Sequence, residues 1–265
     1  MAGADVTARF ADKVAIITGA STGLGPVMAK MMAAEGAGVV VTARRLELLE
    51  AVAGEIGEAA VAVRADVTDE EDVAALVEVA MSRWGKVDIM MNNAAAPGTD
   101  KFIWEQTLED WNATIATDVT AAMLCSREVL RRSMLERRTG VIVNFSSTAG
   151  WTGLPRKSHY SVGKSGLHVL TKVIATEVGP YGIRCNCVVP GFIETDLLRD
   201  WMERVAAEEG ISLEEKRAGL TQDVPLRTFS ATEDVAHLAL FLASDHARTI
   251  TGQSIAVDAG GVMMG

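Results

Sequence analysis

The stretch Val14-Ala15-Ile16-Ile17-Thr18-Gly19-Ala20-Ser21-Thr22-Gly23-Leu24-Gly25-Pro26 decides how this chain folds. Its first five residues are apolar or β-branched and read as a buried strand; from Leu24 onward the pattern reads as a helix. Between them, Thr18 to Gly25 carries the chain from a strand end to a helix start, the place where a dinucleotide pyrophosphate is held. Gly19 permits the tight turn, Gly23 lets phosphate approach the backbone, and Gly25 lets helix and strand pack closely. Ser21, Thr22 and Leu24 complete that cradle, and the helix N-terminus favours the anion. Pro26 sits early in the helix, where its missing N–H costs no intrahelical bond. The spacing is GxxxGxG rather than GxGxxG, so alone it also fits a plain glycine-rich turn.

Outward from this stretch, short apolar runs alternate with longer helical patterns, the signature of repeated βαβ units. Strands are expected at 14–18, 38–42, 61–65, 87–91, 141–145, 184–189 and 254–257, and helices near 24–35, 45–56, 69–84, 108–137, 160–179 and 232–243. Val39-Val40-Val41 and Val141-Ile142-Val143 are apolar at consecutive positions, as strands buried on both faces must be. The expectation is a Rossmann-type α/β fold: a doubly wound, seven-stranded, mostly parallel sheet with helices on both faces. The whole chain, 1–265, reads as one domain. Residues 195–228 break the rhythm with charge, Trp201, Met202 and a possible capping box from Ser212 to Glu215, and read as a helical insertion over the cleft.

The 265 residues are 49% hydrophobic, enough for a full core, and carry a net charge of -10, which disfavours nucleic acid and anionic lipid as partners. Cys125, Cys185 and Cys187 form no CxxC pair, so no metal site is expected. The N-terminus bears Asp5 and Arg9 without an apolar stretch, and no run approaches a membrane span of about 18 apolar residues. These features point to a soluble protein of the reducing cytoplasm.

At the end of the second strand an acidic residue would take a ribose 2′-hydroxyl and basic groups a 2′-phosphate. The chain reads Val41-Thr42-Ala43-Arg44-Arg45. Two guanidiniums and no carboxylate favour NADP(H), with NAD(H) possible and solvated arginines the plainer alternative. The chemistry resides in Tyr160 and Lys164, four apart on one helical face. A tyrosine titrates near pH ~10 unless a cation stabilises its phenolate, and Lys164 is placed to do so. Ser147 lies 13 residues before Tyr160, room enough for a strand end, a loop and a helix start. By itself a Tyr/Lys pair of this kind also fits a helix surface.

Together these motifs resemble, in order and over nearly the whole length, the single-domain short-chain dehydrogenases/reductases. The matching runs are Thr18 to Gly25, Asp66-Val67, Asn92-Asn93-Ala94-Ala95, Ser147, Tyr160 with Lys164, Pro190-Gly191-Phe192-Ile193-Glu194-Thr195 and Val257-Asp258-Ala259-Gly260-Gly261. The resemblance implies that Asp66 and Val67 bind adenine and that Asn92, Asn93 and Ala94 line the cofactor cleft. It also implies that Pro190, Gly191, Ile193 and Thr195 surround the nicotinamide, with Ile193 and Thr195 on its carboxamide. Ser147 would bond the substrate oxygen, Tyr160 exchange its proton, and Lys164 hold both the phenolate and the nicotinamide ribose. Two departures stand out: Ala95 replaces the usual glycine, and Asp118 occupies a position where asparagine is usual. In the family the backbone carbonyl there holds a water that leads from the lysine to solvent, so Asp118 is retained as a catalytic candidate.

Pocket walls are expected from Ala96, Trp151, Leu154, His159, Phe192 and Trp201, which favour a hydrophobic or cyclic ketone or alcohol. His159 is expected at the surface of a helix start. An NAD-dependent cyclic alcohol or diol dehydrogenase is the nearest alternative, and a non-catalytic dinucleotide-binding protein of the same fold is another. By analogy the chain would assemble as a homotetramer, and 252–265 is apolar enough to pack against a partner.

Overall fold

The computed structural model describes residues 8–263; Asp5 and the last two residues of the apolar tail lie outside them. Seven strands form one sheet: β1 (Val14–Thr18), β2 (Gly38–Ala43), β3 (Ala60–Arg64), β4 (Ile89–Asn92), β5 (Gly140–Phe145), β6 (Ile183–Pro190) and β7 (Ser254–Val257). Their order is β3-β2-β1-β4-β5-β6-β7, and every pairing is parallel. The chain starts in the middle, winds out to β3, then crosses back to place β4 on the other side of β1. That reversal opens a crevice at the carboxyl ends of β1 and β4, where open α/β sheets bind ligands.

Helices cover both faces. Ala15, Ile17, Val39 and Val41 face α1 (Leu24–Ala34), α2 (Leu46–Ile56) and, further along the chain, α11 (Thr232–Ala243). The alternate residues Val14, Ile16 and Val40 face α3 (Glu70–Trp84) and the long helical run 108–137. Each such fully buried aliphatic side chain contributes about 1.5–3 kcal/mol, which locks the register of a strand apolar on both sides. Helix ends follow local chemistry. Asp69 caps α3 by accepting from the N–H groups of Glu71 and Asp72, and Gly85 closes it at φ 72°.

The run 108–137 is divided: α4 (Leu108–Ile115), a π-turn Ala116–Thr120, α5 (Ala121–Val129), a second π-turn Leu130–Met134, and α6 (Leu135–Arg137). After β5 come the short α7 (Ala149–Thr152) and α8 (Ser158–Val178). Between β6 and α11 lie α9 (Asp196–Glu209) and α10 (Leu213–Thr221), the latter opened by a Ser212/Glu215 capping box. Strand limits shift where polar groups take over. Val87 gives its N–H to Ser133 Oγ, and the Asp88 carboxylate accepts the Val14 N–H, so β4 starts only at Ile89. Among the described residues no helix is long and apolar enough to cross a membrane.

Candidate active site

The glycine-rich turn joins β1 to α1 as its sequence requires. Gly19 has φ 64°, and a Cβ there would lie 2.9 Å from Ala94 Cα. At Gly25 a Cβ would lie 2.6 Å from Ala20 Cα and from the Gly19 carbonyl oxygen. Asn93 ties the two sides of the crevice, its Nδ2 donating to the carbonyls of Thr18 (2.9 Å) and Gly19 (3.2 Å). No side chain caps α1, whose Ncap is Gly23, so its first-turn N–H groups remain for an anion. The Arg45 guanidinium donates to Ser21 Oγ (3.2 Å) and Thr22 Oγ1 (3.3 Å), placing a cation on the turn, and Arg44 beside it is exposed.

At the end of β3, Asp66 accepts from both the N–H and the hydroxyl of Thr68. Those bonds hold its carboxyl below the usual carboxylate range. The neighbouring Val67 is buried. Thr195 faces the turn from the opposite side: a Cβ on Gly23 would sit 4.0 Å from its methyl group. Its hydroxyl caps α9 through the Leu198 N–H, which fixes that helix at the mouth of the cleft. Pro190 ends β6, Gly191 donates to the Val257 carbonyl, and Ile193 bridges to Ser230. An uncapped helix N-terminus, a turn that excludes side chains and a basic second-strand end form a donor set that suits a dinucleotide.

At the floor of the cleft, the side chain of Lys164 is 2% exposed. Nζ donates to the Phe145 carbonyl (2.9 Å), lies 5.5 Å from the centre of the Tyr160 ring and faces Asp118 Oδ2 at 3.8 Å. Just after Ser147, α7 fits closely on α8. A Cβ at Gly150 would sit 2.8 Å from the Lys164 carbonyl carbon, and the Ser146 hydroxyl donates to the Lys164 carbonyl oxygen at 2.7 Å. Ser147 Oγ accepts the Ala149 N–H at 3.2 Å, which leaves its own proton free to donate.

Behind the floor a polar chain assigns its own protons. Since the one proton of Ser146 goes to the Lys164 carbonyl, the contact with His168 Nε2 (3.0 Å) has the imidazole as donor. His168 Nδ1 must then accept from Ser254 Oγ at 2.9 Å, linking β7 to β5 and α8. Burial against the stacked ring of Trp151 pushes this imidazole down to about 4. A parallel chain joins Asn92 Nδ2 to Asn144 Oδ1 (2.8 Å) and Asn144 Nδ2 to Thr171 Oγ1 (2.9 Å).

Two expectations are corrected. Asn92 does not line the cofactor cleft; its carboxamide turns inward to Asn144 and Ser126, and Asn93 takes the cleft position. His159 is not at a helix surface but fully buried, packed so tightly on Gly98 that a Cβ there would lie 2.1 Å from Nε2. It is therefore closed off from the pocket. Phe192 stacks on Trp201 (6.2 Å) and meets Phe229 (5.6 Å), Trp151 lies within α7 with Leu154 just after it, and Ala96 gives its N–H to Asp118 Oδ1. Residues 195–228 supply the aromatic Trp201 and also Arg204, 3.6 Å from Asp100 across the mouth.

A family profile described as "Enoyl-(Acyl carrier protein) reductase" matches residues 19–261. The chain belongs to the short-chain dehydrogenase/reductase family. It is 36% identical to a 3-oxoacyl-[acyl-carrier-protein] reductase of Synechocystis sp., covering 95% of this chain and 97% of that one. An L-rhamnose 1-dehydrogenase (NAD(P)(+)) of Azotobacter vinelandii is 37% identical, with 94% and 96% covered. The crystal structure of levodione reductase superposes with a TM-score of 0.89 at 30% identity, covering 95% of this chain and 98% of that one. This short-chain dehydrogenase/reductase is an NAD(P)-dependent oxidoreductase acting on CH–OH groups and the corresponding carbonyls.

Proposed function

We propose that the chain reduces a hydrophobic or cyclic ketone, or oxidises the matching secondary alcohol, with NADP(H) as the preferred cofactor and Tyr160 as the proton donor and acceptor. The observation that carries this reading is a buried ammonium, Lys164, lying 5.5 Å from the phenol ring of Tyr160. A cation beside a phenol favours the phenolate, the form that takes up a proton in oxidation. When bound, the nicotinamide supplies or takes up the hydride. Ser147 donates its free hydroxyl proton to the substrate oxygen and steadies the charge that develops there. Tyr160 passes its proton to that oxygen in reduction and removes it in oxidation. Lys164, fixed by the Phe145 carbonyl, compensates the charge left on the phenol.

Arg45 on the glycine-rich turn, with Arg44 next to it, supports the preference for a 2′-phosphate. Phe192, Trp201 and Phe229 support an apolar substrate. Exposed Val162, Val169 and Val173 on α8, with Met123 on α5, support assembly into a homotetramer. The unpaired, buried thiols of Cys125, Cys185 and Cys187 suit the cytoplasm.

The test is Tyr160→Phe, assayed with a panel of ketones and alcohols while NADPH and NADH binding are titrated on variant and parent. The expected result is cofactor affinity within about twofold of the parent and turnover reduced by at least about a thousandfold. Most of the activity surviving would remove Tyr160 from the chemistry, and equal affinity of the parent for both cofactors would remove the phosphate preference.

A further inference from the structure

Apart from Lys164, a second ionisable group is buried at the floor of the cleft. Asp118 is enclosed, its side chain 0% exposed, on the π-turn Ala116–Thr120. Oδ1 is bonded to the Ala96 N–H at 2.8 Å, while Oδ2 has no hydrogen-bond partner and faces Lys164 Nζ at 3.8 Å. That separation is an ion-pair distance but too long for a hydrogen bond. On its other side Asp118 packs on Gly163, where a Cβ would lie 3.3 Å from Asp118 Cβ, a tight contact that glycine relieves. The groups that face the pair can be named. From α8 come Lys164 and Tyr160; from the loop after β4 comes the uncharged Ala96 N–H; from β6 comes the Cys187 thiol, which burial pushes up to about 11 and keeps neutral.

We propose that Asp118 is a positioning residue that sets the strength of Lys164 as the partner of Tyr160, holding the ammonium in place and offsetting part of its field at the phenol. The inference rests on the proposed role of Tyr160. Its physical content is a sum of charges: an isolated buried ammonium would stabilise the phenolate fully, whereas a carboxylate 3.8 Å from it cancels part of that effect. Burial raises the Asp118 carboxyl above its ordinary value and the Lys164 charge draws it back, so the pair is coupled rather than independent. The enzyme would thereby work at higher pH than a relative whose lysine meets an uncharged amide.

The chain has 2 tyrosines, so in a Tyr181→Phe background the tyrosinate absorbance of the apo protein reports Tyr160 alone. Asp118→Asn keeps an oxygen for the Ala96 N–H and removes the charge; Asp118→Ser removes the charge with less volume beside Gly163. Both are expected to lower the tyrosinate midpoint by about one pH unit relative to the parent. The alkaline rise of kcat/KM for alcohol oxidation should move by the same amount. In a Lys164→Met background the buried carboxyl, no longer drawn down by the ammonium, takes up a proton, so the difference should vanish. A midpoint unchanged in whichever variant folds, or a shift that persists without Lys164, would overturn the proposal. The proton-transfer role of Tyr160 is judged separately: activity retained in Tyr160→Phe would defeat that role while leaving the absorbance result intact.

Discussion

At the floor of the cleft, Lys164, Asp118, Ser146 and Asn144 are almost closed to solvent, and main-chain or side-chain partners hold each of them. At the rim, Asp100 meets Arg156 and Arg204, and Glu194 meets Arg217, through side chains that are about a third to a half exposed. Buried polar chains are expensive to break, because each lost partner strands a desolvated group. Exposed ion pairs contribute little and re-form readily. The contrast teaches that this fold holds the polar groups of its floor, where the proposed proton chemistry would sit, in a buried frame and leaves the rim to side chains that can change cheaply.

The strongest way to break the comparison is Asn144→Ala, which removes one acceptor of Asn92 Nδ2 and the donor to Thr171 Oγ1 and opens a hole between β5 and α8. A loss of about 3–4 kcal/mol in urea unfolding is expected, with an unchanged slope against denaturant. A loss below 1 kcal/mol would mean that the floor is no more rigid than the rim.

Next in size is the pH response of His168, whose imidazole burial pushes down to about 4 from its ordinary 6.5. The unfolded chain takes up the proton first, so the contribution is full above about pH 6.5 and is lost progressively as pH falls towards 4. Its complete loss amounts to about 3 kcal/mol. His168→Gln should flatten the fall in unfolding free energy between pH 7 and 5; an equal fall in variant and parent would clear the imidazole of any part in it.

The smallest effect is expected at the rim. Asp100→Ala, which frees Arg156 and Arg204, should change stability by no more than about 0.5 kcal/mol and raise KM a few-fold with kcat retained. A larger drop in stability would place α9 within the rigid body and sharpen where the two regions meet.

Much of the floor was legible in the sequence because its signals are local. The seven apolar runs, the glycine-rich turn and the Tyr160/Lys164 spacing each depend on residues within one helical turn or one strand. Asn92 and Asn93 could not be told apart, since strand alternation decides which carboxamide turns inward and the end of β4 lay a residue beyond the expected one. His159 was misplaced because its burial comes from Gly98, some sixty residues away in sequence and far closer in space. The polar chain through Ser254, His168 and Ser146 carries no motif at all; only the packing of β7 beside β6 assembles it.

The two π-turns were equally silent in the sequence, yet the first has a consequence for protein engineering. A π-turn takes up one residue more than a regular turn, so deleting one residue within Ala116–Thr120 would let the turn close as a regular one while α5 keeps its register. Only the side chains of the turn itself, Asp118 among them, would be re-aimed. Chain length at this point, as much as side-chain identity, governs where the carboxylate points, and a single-codon deletion would test its aim while leaving the flanking helices in place.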